Sequence, residues 1–546
     1  MKFKEIIYKR PDIDDFKIKV EGMMEEFGKA ESFQQQKNII DNINSLRNNI
    51  LTMCTIAELR NYINMSDEEY SKEVDYISEK WPKYEVAQKI FYKGLLSSKY
   101  YTEIVNCYGK QFLSIAKTAI KTVTEDVVID MAKESNLQRK YTKLMAQATI
   151  EYNGELKNIN QLKKFCMSSH RETRKYASEK KYELLEMCSN DIDEILDELI
   201  KVRTRIAKKM GYSSFTKLAY DRLNRVDYCE EDIEKFRNLI VKYILPICKT
   251  IIIDEKKRLG VESLKYYDEE ISCDTLKIYN VQELKDKFQC VCNKLSEQTK
   301  DVYRFMKENE LMDLEPRDGK ARLAMSTYLC DYKSPFIVAN LSGIEDDFRV
   351  LAHEFGHAFQ MYISNLDNKI PEYILPTKEA AEIASITMEF LVCLHMGNEL
   401  EDSEEYKNNQ IHQVMKWMPY RACIDEFQHC IYNAYNMTKD ERKKLWSKLE
   451  KKYMPFIDYD HNAFLEQGNF WKQQSHIFTL PFYYIDYALA QICALNIWEV
   501  AEKDGGKAWE SYMNICKKGG SLSFMELLKI GNISSPFEEE TFKKFI

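Results

Sequence analysis

The chain has 546 residues, 45% hydrophobic and 30% charged, with 79 Lys and Arg against 87 Asp and Glu for a net charge of −8. That mixture suits a large soluble globular protein, and the interleaving of basic with acidic residues leaves no phosphate-binding block, which excludes nucleic acid as an expected partner. Only 17 Gly and 11 Pro occur, too few turn formers for a many-stranded sandwich, so the expected class is mainly α-helical.

The N-terminus, MKFKEIIYKRPDIDDF, meets charge too early for a signal-peptide core. No stretch approaches the ~18 apolar residues of a membrane span. The 15 Cys are scattered without a CxxC, a usage that fits a reducing compartment, and the expected location is cytoplasmic with no membrane partner. Amphipathic helical patterns recur through the first half of the chain. In one, Ile192, Ile195, Leu196, Leu199, Ile200, Val202, Ile206 and Met210 follow the 3.6-residue period and Gly211 supplies a stop. The stretch EYNGELKNIN at 151–160 interrupts this pattern. It suggests an N-terminal helical region, 1–155, ahead of a second region, 156–546. Farther on, the basic cluster of Arg442, Lys443 and Lys444 reads as a solvated helix face.

Residues 316–345 differ: Pro316, Gly319, Pro335 and Gly343 punctuate short segments, and Arg322–Cys330 and Pro335–Leu341 read as strands. A small sheet is therefore expected just before LAHEFGHAFQ (351–360). There His353 and His357 stand at i and i+4, one above the other on one helix face, where two imidazoles can reach a single Zn²⁺ with Glu354 beside them. Asp346 or Asp347 can cap this helix, and Phe348, Leu351, Phe355, Phe359 and Tyr362 give it a core stripe. Gly356 inside it costs about 1 kcal/mol against Ala, which suggests a close contact at that point.

Catalytic zinc needs a third ligand. Downstream, Thr377 can cap a helix bearing Glu379, Glu382 and Glu389. Glu379 suits the helix dipole. Glu382, among Ala381, Ile383 and Ala384, needs a partner that a metal would provide, and Glu389 shares its face. Finally His476, Tyr483, Tyr484 and Tyr487 cluster ahead of an apolar helix. Core packing is the competing reading in a chain with 35 Tyr, but beside a zinc site such donors can hold an oxyanion.

HEFGH, EIASITME (382–389) and HIFTLPFYYIDY (476–487) together resemble the thimet oligopeptidase and oligoendopeptidase F family of zinc metallopeptidases. DGKARLAMSTYLCDYKSPFIVANLSG (318–343) looks like that family's substrate-binding strands, and RLNRVDYCEEDIEKFR (222–237) and PYRACIDEFQHCIY (419–432) are similar to its oligoendopeptidase F branch. The resemblance implies a mainly α, two-lobed zincin-type fold with a small β-sheet beside the active-site helix and a deep substrate channel, the region 156–546 being catalytic. It implies one Zn²⁺ per chain held by His353, His357 and Glu382, with Glu354 as general base. His476, Tyr484 and Tyr487 would act on the transition state, Tyr483, Ala339 and Asn340 would contact substrate, and Glu389 would partner a ligand His. The implied activity is hydrolysis of internal bonds in short unfolded peptides. One departure is that Arg322, Leu323 and Ala324 stand where family members often carry Gly-Gly. Two alternatives stand beside this reading: another zinc peptidase type such as an aminopeptidase, although its GxMEN-like strand is not found here, and a non-catalytic peptide-binding protein that keeps the channel.

Overall fold

Wherever apolar residues recur at helical spacing, this chain forms helix. A computed structural model describes residues 2–545 apart from 123, 270–278, 322, 342, 345, 368–369 and 398–402, and without the side chains of 125, 367 and 403–405. Arg322, the first residue of the expected strand and of the expected departure, lies outside the described residues. The stripe read from Ile192 to Ile206 belongs to the helix Ser189–Lys209, and its apolar members are buried. That helix stops as expected: Gly211 takes φ +78, its N–H donates to the Lys208 carbonyl, and the Tyr212 N–H donates to the Ala207 carbonyl, satisfying carbonyls that have no helical partner.

The interruption at 151–160 is a two-stranded hairpin, β1 (Ile150–Tyr152) and β2 (Glu155–Lys157), in antiparallel register. Its turn is Asn153-Gly154, both at positive φ, the dipeptide that a two-residue hairpin favours. The second sheet joins β3 (Met312–Asp313), β4 (Met325–Leu329) and β5 (Ser334–Val338) in the order β3-β5-β4. β5 is central and wholly buried, parallel to β3 and antiparallel to β4, which leaves β4 at an edge. Both strands expected before HEFGH are present, shorter than read. β3 went unread because two residues carry no period.

Buried side chains form two large clusters. One runs from Ile13 to Ala116 on the N-terminal helices, among them Ile13–Lys29, Phe33–Ile63 and Glu68–Leu96, and takes in Ile370 and Tyr373. The other extends from Phe3 to Phe542 and surrounds the small sheet and the HEFGH helix. The buried pair Arg47–Glu372, at 2.6 Å, connects the first cluster to the loop after that helix.

One surface assignment is corrected. Arg442 is only 1% exposed, paired with Asp197 at 2.6 Å and donating to the Met437 carbonyl at 2.9 Å, whereas Lys444 is exposed as expected. A guanidinium that finds a carboxylate and a carbonyl can leave solvent where a lysine on the same helix does not. Among the described residues no helix is long and apolar enough to cross a membrane, and no cysteine is joined in a disulfide.

Candidate active site

The HEFGH helix spans Asp346–Asp367. Both expected capping residues lie inside its first turn. Asp346 pairs with Arg349 at 2.8 Å, and the Asp347 carboxylate accepts the N–H groups of Gly343 and Ile344, closing the loop ahead of the helix. Phe348, Leu351, Phe355 and Phe359 are buried, with Phe355 against Phe288 and Tyr303. The opposite face packs on the glutamate helix, Lys378–His395, of which residues 379–393 are all buried. Gly356 makes that approach possible, since a Cβ there would stand 2.7 Å from Ser385 Cα and 2.9 Å from the Ala384 carbonyl. The contact suggested by its helix cost is thus the crossing of these two helices.

The crossing brings Glu382 to both histidines. Its Oε2 lies 3.3 Å from His353 Nε2 and 3.6 Å from His357 Nε2, and the donor atoms of the three residues all fall within 4.8 Å of one another. His353 Nδ1 lies 2.7 Å from Glu389 Oε1. Nδ1 therefore holds its proton toward Glu389, which leaves Nε2, facing Glu382, as the nitrogen that would ligate a metal once its own proton is released. Burial disfavours charge on His353, but the Glu389 hydrogen bond and the Glu382 carboxylate outweigh it and raise its pKa to about 9. Burial likewise disfavours charge on Glu382, and His357 and His353 outweigh it, lowering its pKa to about 2. Two imidazoles and one ionised carboxylate converging on one point make a donor set that fits a divalent zinc ion.

Glu354 is 6% exposed. Ser326 on β4 sets its position, with Oγ 2.7 Å from the Glu354 carbonyl and 2.9 Å from its Oε2. Sequence reasoning missed Ser326, because a serine in a short strand carries no signal of what it faces.

The His/Tyr segment forms a one-turn helix, His476–Thr479, then a loop, then the tyrosine helix Tyr484–Lys503. Tyr483, Tyr484 and Tyr487 surround His476 with ring centroids 5.6, 5.0 and 6.0 Å away. The Tyr483 hydroxyl donates to Glu382, which joins this segment to the histidine pair and commits that phenol to a carboxylate. His476 Nδ1 lies 2.5 Å from Gln474 Nε2. An amide N–H can only donate, so Nδ1 accepts and the ring proton sits on Nε2. Burial lowers the His476 pKa to about 4, against the pull of Glu382 and with the help of Arg421, so the ring is a neutral donor.

Loop carbonyls find partners far upstream. Arg203 donates to those of Ile477 and Phe478, Gln138 to that of Thr479, and Arg225 to that of Phe482. Phe482 adopts φ +66, a left-handed conformation costly for a side-chain-bearing residue, and its N–H is held by Gln428 at 2.9 Å. Arg225, in the RLNRVDY stretch, also pairs with Asp486, and both are fully buried. Glu379 is a correction: it is 0% exposed, so it does more than complement a helix dipole from solvent. Burial raises the pKa of Glu379 and of Asp486; Asp486 adds to the effect at Glu379, and Arg225 opposes it at both without prevailing.

Ala339 and Asn340 follow the central strand and are engaged within the sheet. The Ala339 N–H donates to the Asp313 carbonyl, its carbonyl accepts from Lys320, and the Asn340 side chain donates to the Ala321 carbonyl. The edges of the sheet are β3 and β4.

Family models match two stretches: the peptidase M3 N-terminal domain at residues 3–123 and peptidase family M3 at residues 165–545. An oligoendopeptidase F homolog from Borreliella burgdorferi is 27% identical over 322 residues, covering 55% of this chain and about half, 52%, of that relative. The structure of PZ peptidase A with inhibitor 2 aligns over 100% of this chain and 97% of the other, with TM-score 0.95 and 40% identity. A Bacillus anthracis str. Ames structure assigned to oligoendopeptidase F aligns over 100% and 96%, with TM-score 0.90 and 37% identity. With a family model that runs through the histidine pair and nearly to the last residue, the chain belongs to peptidase family M3.

Proposed function

We propose that this protein is a zinc-dependent oligoendopeptidase that hydrolyses internal peptide bonds of short, unfolded peptides. The observation that carries the reading is the convergence of His353 and His357, on the helix that also bears Glu354, with Glu382 of the helix crossing it, their donor atoms within 4.8 Å of one another. His353, His357 and Glu382 would hold the zinc, which would supply Lewis acidity to the scissile carbonyl and to the attacking water. Glu354, oriented by Ser326, accepts the proton of the attacking water and delivers it to the leaving amine. His476 offers its Nε2–H, and Tyr484 and Tyr487 their hydroxyls, to the developing oxyanion. Tyr483 holds the Glu382 carboxylate in place. The substrate backbone adds to the edge strand β4, because β5, which leads to Ala339 and Asn340, is already paired on both sides. A channel between lobes, as the family resemblance implies, would admit peptides and exclude folded proteins.

The test is mass spectrometry of a mixed pool of short peptides incubated with zinc-loaded wild type, with chelated protein and with Glu354→Gln. The expected result is internal cleavage by the zinc-loaded wild type alone, with Glu354→Gln retaining its metal and losing about 10²–10⁴-fold in rate. Release of single terminal residues would replace the endopeptidase reading with an exopeptidase, and equal cleavage by Glu354→Gln would remove that residue from the mechanism.

A further inference from the structure

Arginines buried in this protein come with carboxylates. Arg47 has Glu372, Arg174 has Asp268, Arg203 has Glu134, Arg225 has Asp486, Arg237 has Asp425 and Arg442 has Asp197. Arg421, half-buried as a residue, has no such partner. It lies on the long helix Ser403–Asn433, two residues past Pro419, and among the described residues no carboxylate pairs with it. Its Nε and Nη1 are buried without a hydrogen-bond partner. A desolvated guanidinium with open donors is costly unless an anion completes it.

The surroundings of Arg421 are a binding cavity in miniature. A space of about 310 Å³ is lined by Trp417, Tyr420, Arg421, Gln473, Gln474 and Tyr484, which is to say one cation, two amides, three aromatic rings and no acid. This volume is at the lower end of the range for ligand pockets. The cavity adjoins the chemistry: the Arg421 guanidinium lies 5.6 Å from the Tyr484 ring centroid, that ring is 5.0 Å from His476, and Gln474 also holds His476 Nδ1. Those spacings put the guanidinium no more than about three extended residues from His476.

We propose that Arg421 is a specificity-determining residue that binds a carboxylate of the peptide, either its C-terminus or an Asp or Glu side chain, within about three residues of the scissile bond. A planar guanidinium donates two parallel hydrogen bonds to a carboxylate, the Gln473 and Gln474 amides can donate to it as well, and the aromatic walls cover the adjoining apolar part of the residue. The inference rests on the peptidase reading for what lies beside the cavity. It does not rest on that reading for the selection of charge.

The test uses metal-loaded full-length protein and one quenched-fluorescent peptide in three forms: a free C-terminal acid without acidic side chains, its C-terminal amide, and the amide with a Glu placed two residues beyond the cleaved bond. Wild type is expected to favour at least one carboxylate form over the plain amide by about 10–100-fold in kcat/KM. In Arg421→Gln that ratio falls to about one, and Arg421→Lys keeps part of it. Which form wins identifies the terminal or the side-chain carboxylate. Ready cleavage of all three forms at equal kcat/KM by wild type, or an unchanged ratio in Arg421→Gln, overturns the proposal. If wild type cleaves none of them, the peptidase reading fails. The same ratio is then taken from dissociation constants by calorimetry, where a preference abolished in Arg421→Gln sustains the carboxylate site and equal binding of the three forms rejects it.

Discussion

The two ends of the candidate site are built in opposite ways. At the histidine end, the three proposed ligands and Glu354 come from two helices adjacent in sequence, and a single crossing at Gly356 sets Glu382 against both imidazoles. At the His476 end, the backbone itself is irregular, and its carbonyls are held by Gln138, Arg203 and Arg225, residues more than 250 positions upstream. Helical periodicity can assemble a metal cluster locally. A loop that presents one imidazole and several phenols in fixed orientation needs buried donors from elsewhere to satisfy its backbone.

That contrast predicts variants of two kinds, one losing metal and activity together, the other keeping metal and losing turnover. The largest effect is expected for Glu382→Ala, which removes a proposed ligand and the Tyr483 partner at once; metal analysis after dialysis should show zinc lost and peptide hydrolysis abolished. Retained stoichiometric zinc would erase the distinction between the ends. His476→Gln comes next: zinc content unchanged, kcat down about 10²–10³-fold, measured on the same peptides. Arg225→Met probes the tertiary support. It strands Asp486 without its cation, so denaturant unfolding should register a loss of about 3–5 kcal/mol, and the folded fraction should keep its zinc while kcat falls. A fall in zinc content equal to the fall in kcat would mean that the two ends are one unit.

The smallest effect concerns Glu379. Its pKa is raised in the folded state, so between the unfolded and folded values the native protein holds a proton that the unfolded chain has released. Stability therefore declines as pH rises through that window. Glu379→Gln removes the Glu379 share of the decline, leaving that of Asp486, and its melting temperature should gain on wild type progressively from about pH 5 to 8. A constant difference across that range would assign the effect to packing alone.

Much of the histidine end was legible because its signals are periodic. His353 and His357 share a face by spacing, Glu382 and Glu389 do so seven residues apart, and both carboxylates reach the same imidazole. Glu379 was misread on the same helix, since first-turn position says nothing about whether a carboxylate meets solvent or the buried Arg225 and Asp486. Arg442 was misread for a similar reason: the acid that draws it inward, Asp197, lies on another helix. Ser326, Gln474 and Arg421 left no pattern at all, though Arg225 and Arg421 stood inside stretches that the family resemblance had already marked.

By itself, then, the sequence determined the helical character, the strands ahead of HEFGH and the residues able to converge on a metal, because these depend on backbone periods of 3.6 and 2 and on turn chemistry at Gly, Pro and Asn. Only the tertiary structure decided which charges are buried, which proton sits on which nitrogen of His353 and His476, and which arginine is left facing a cavity without a carboxylate. The physical reason is that desolvation and hydrogen-bond partnership are properties of the packed neighbourhood, and in this chain those neighbours lie up to hundreds of residues apart.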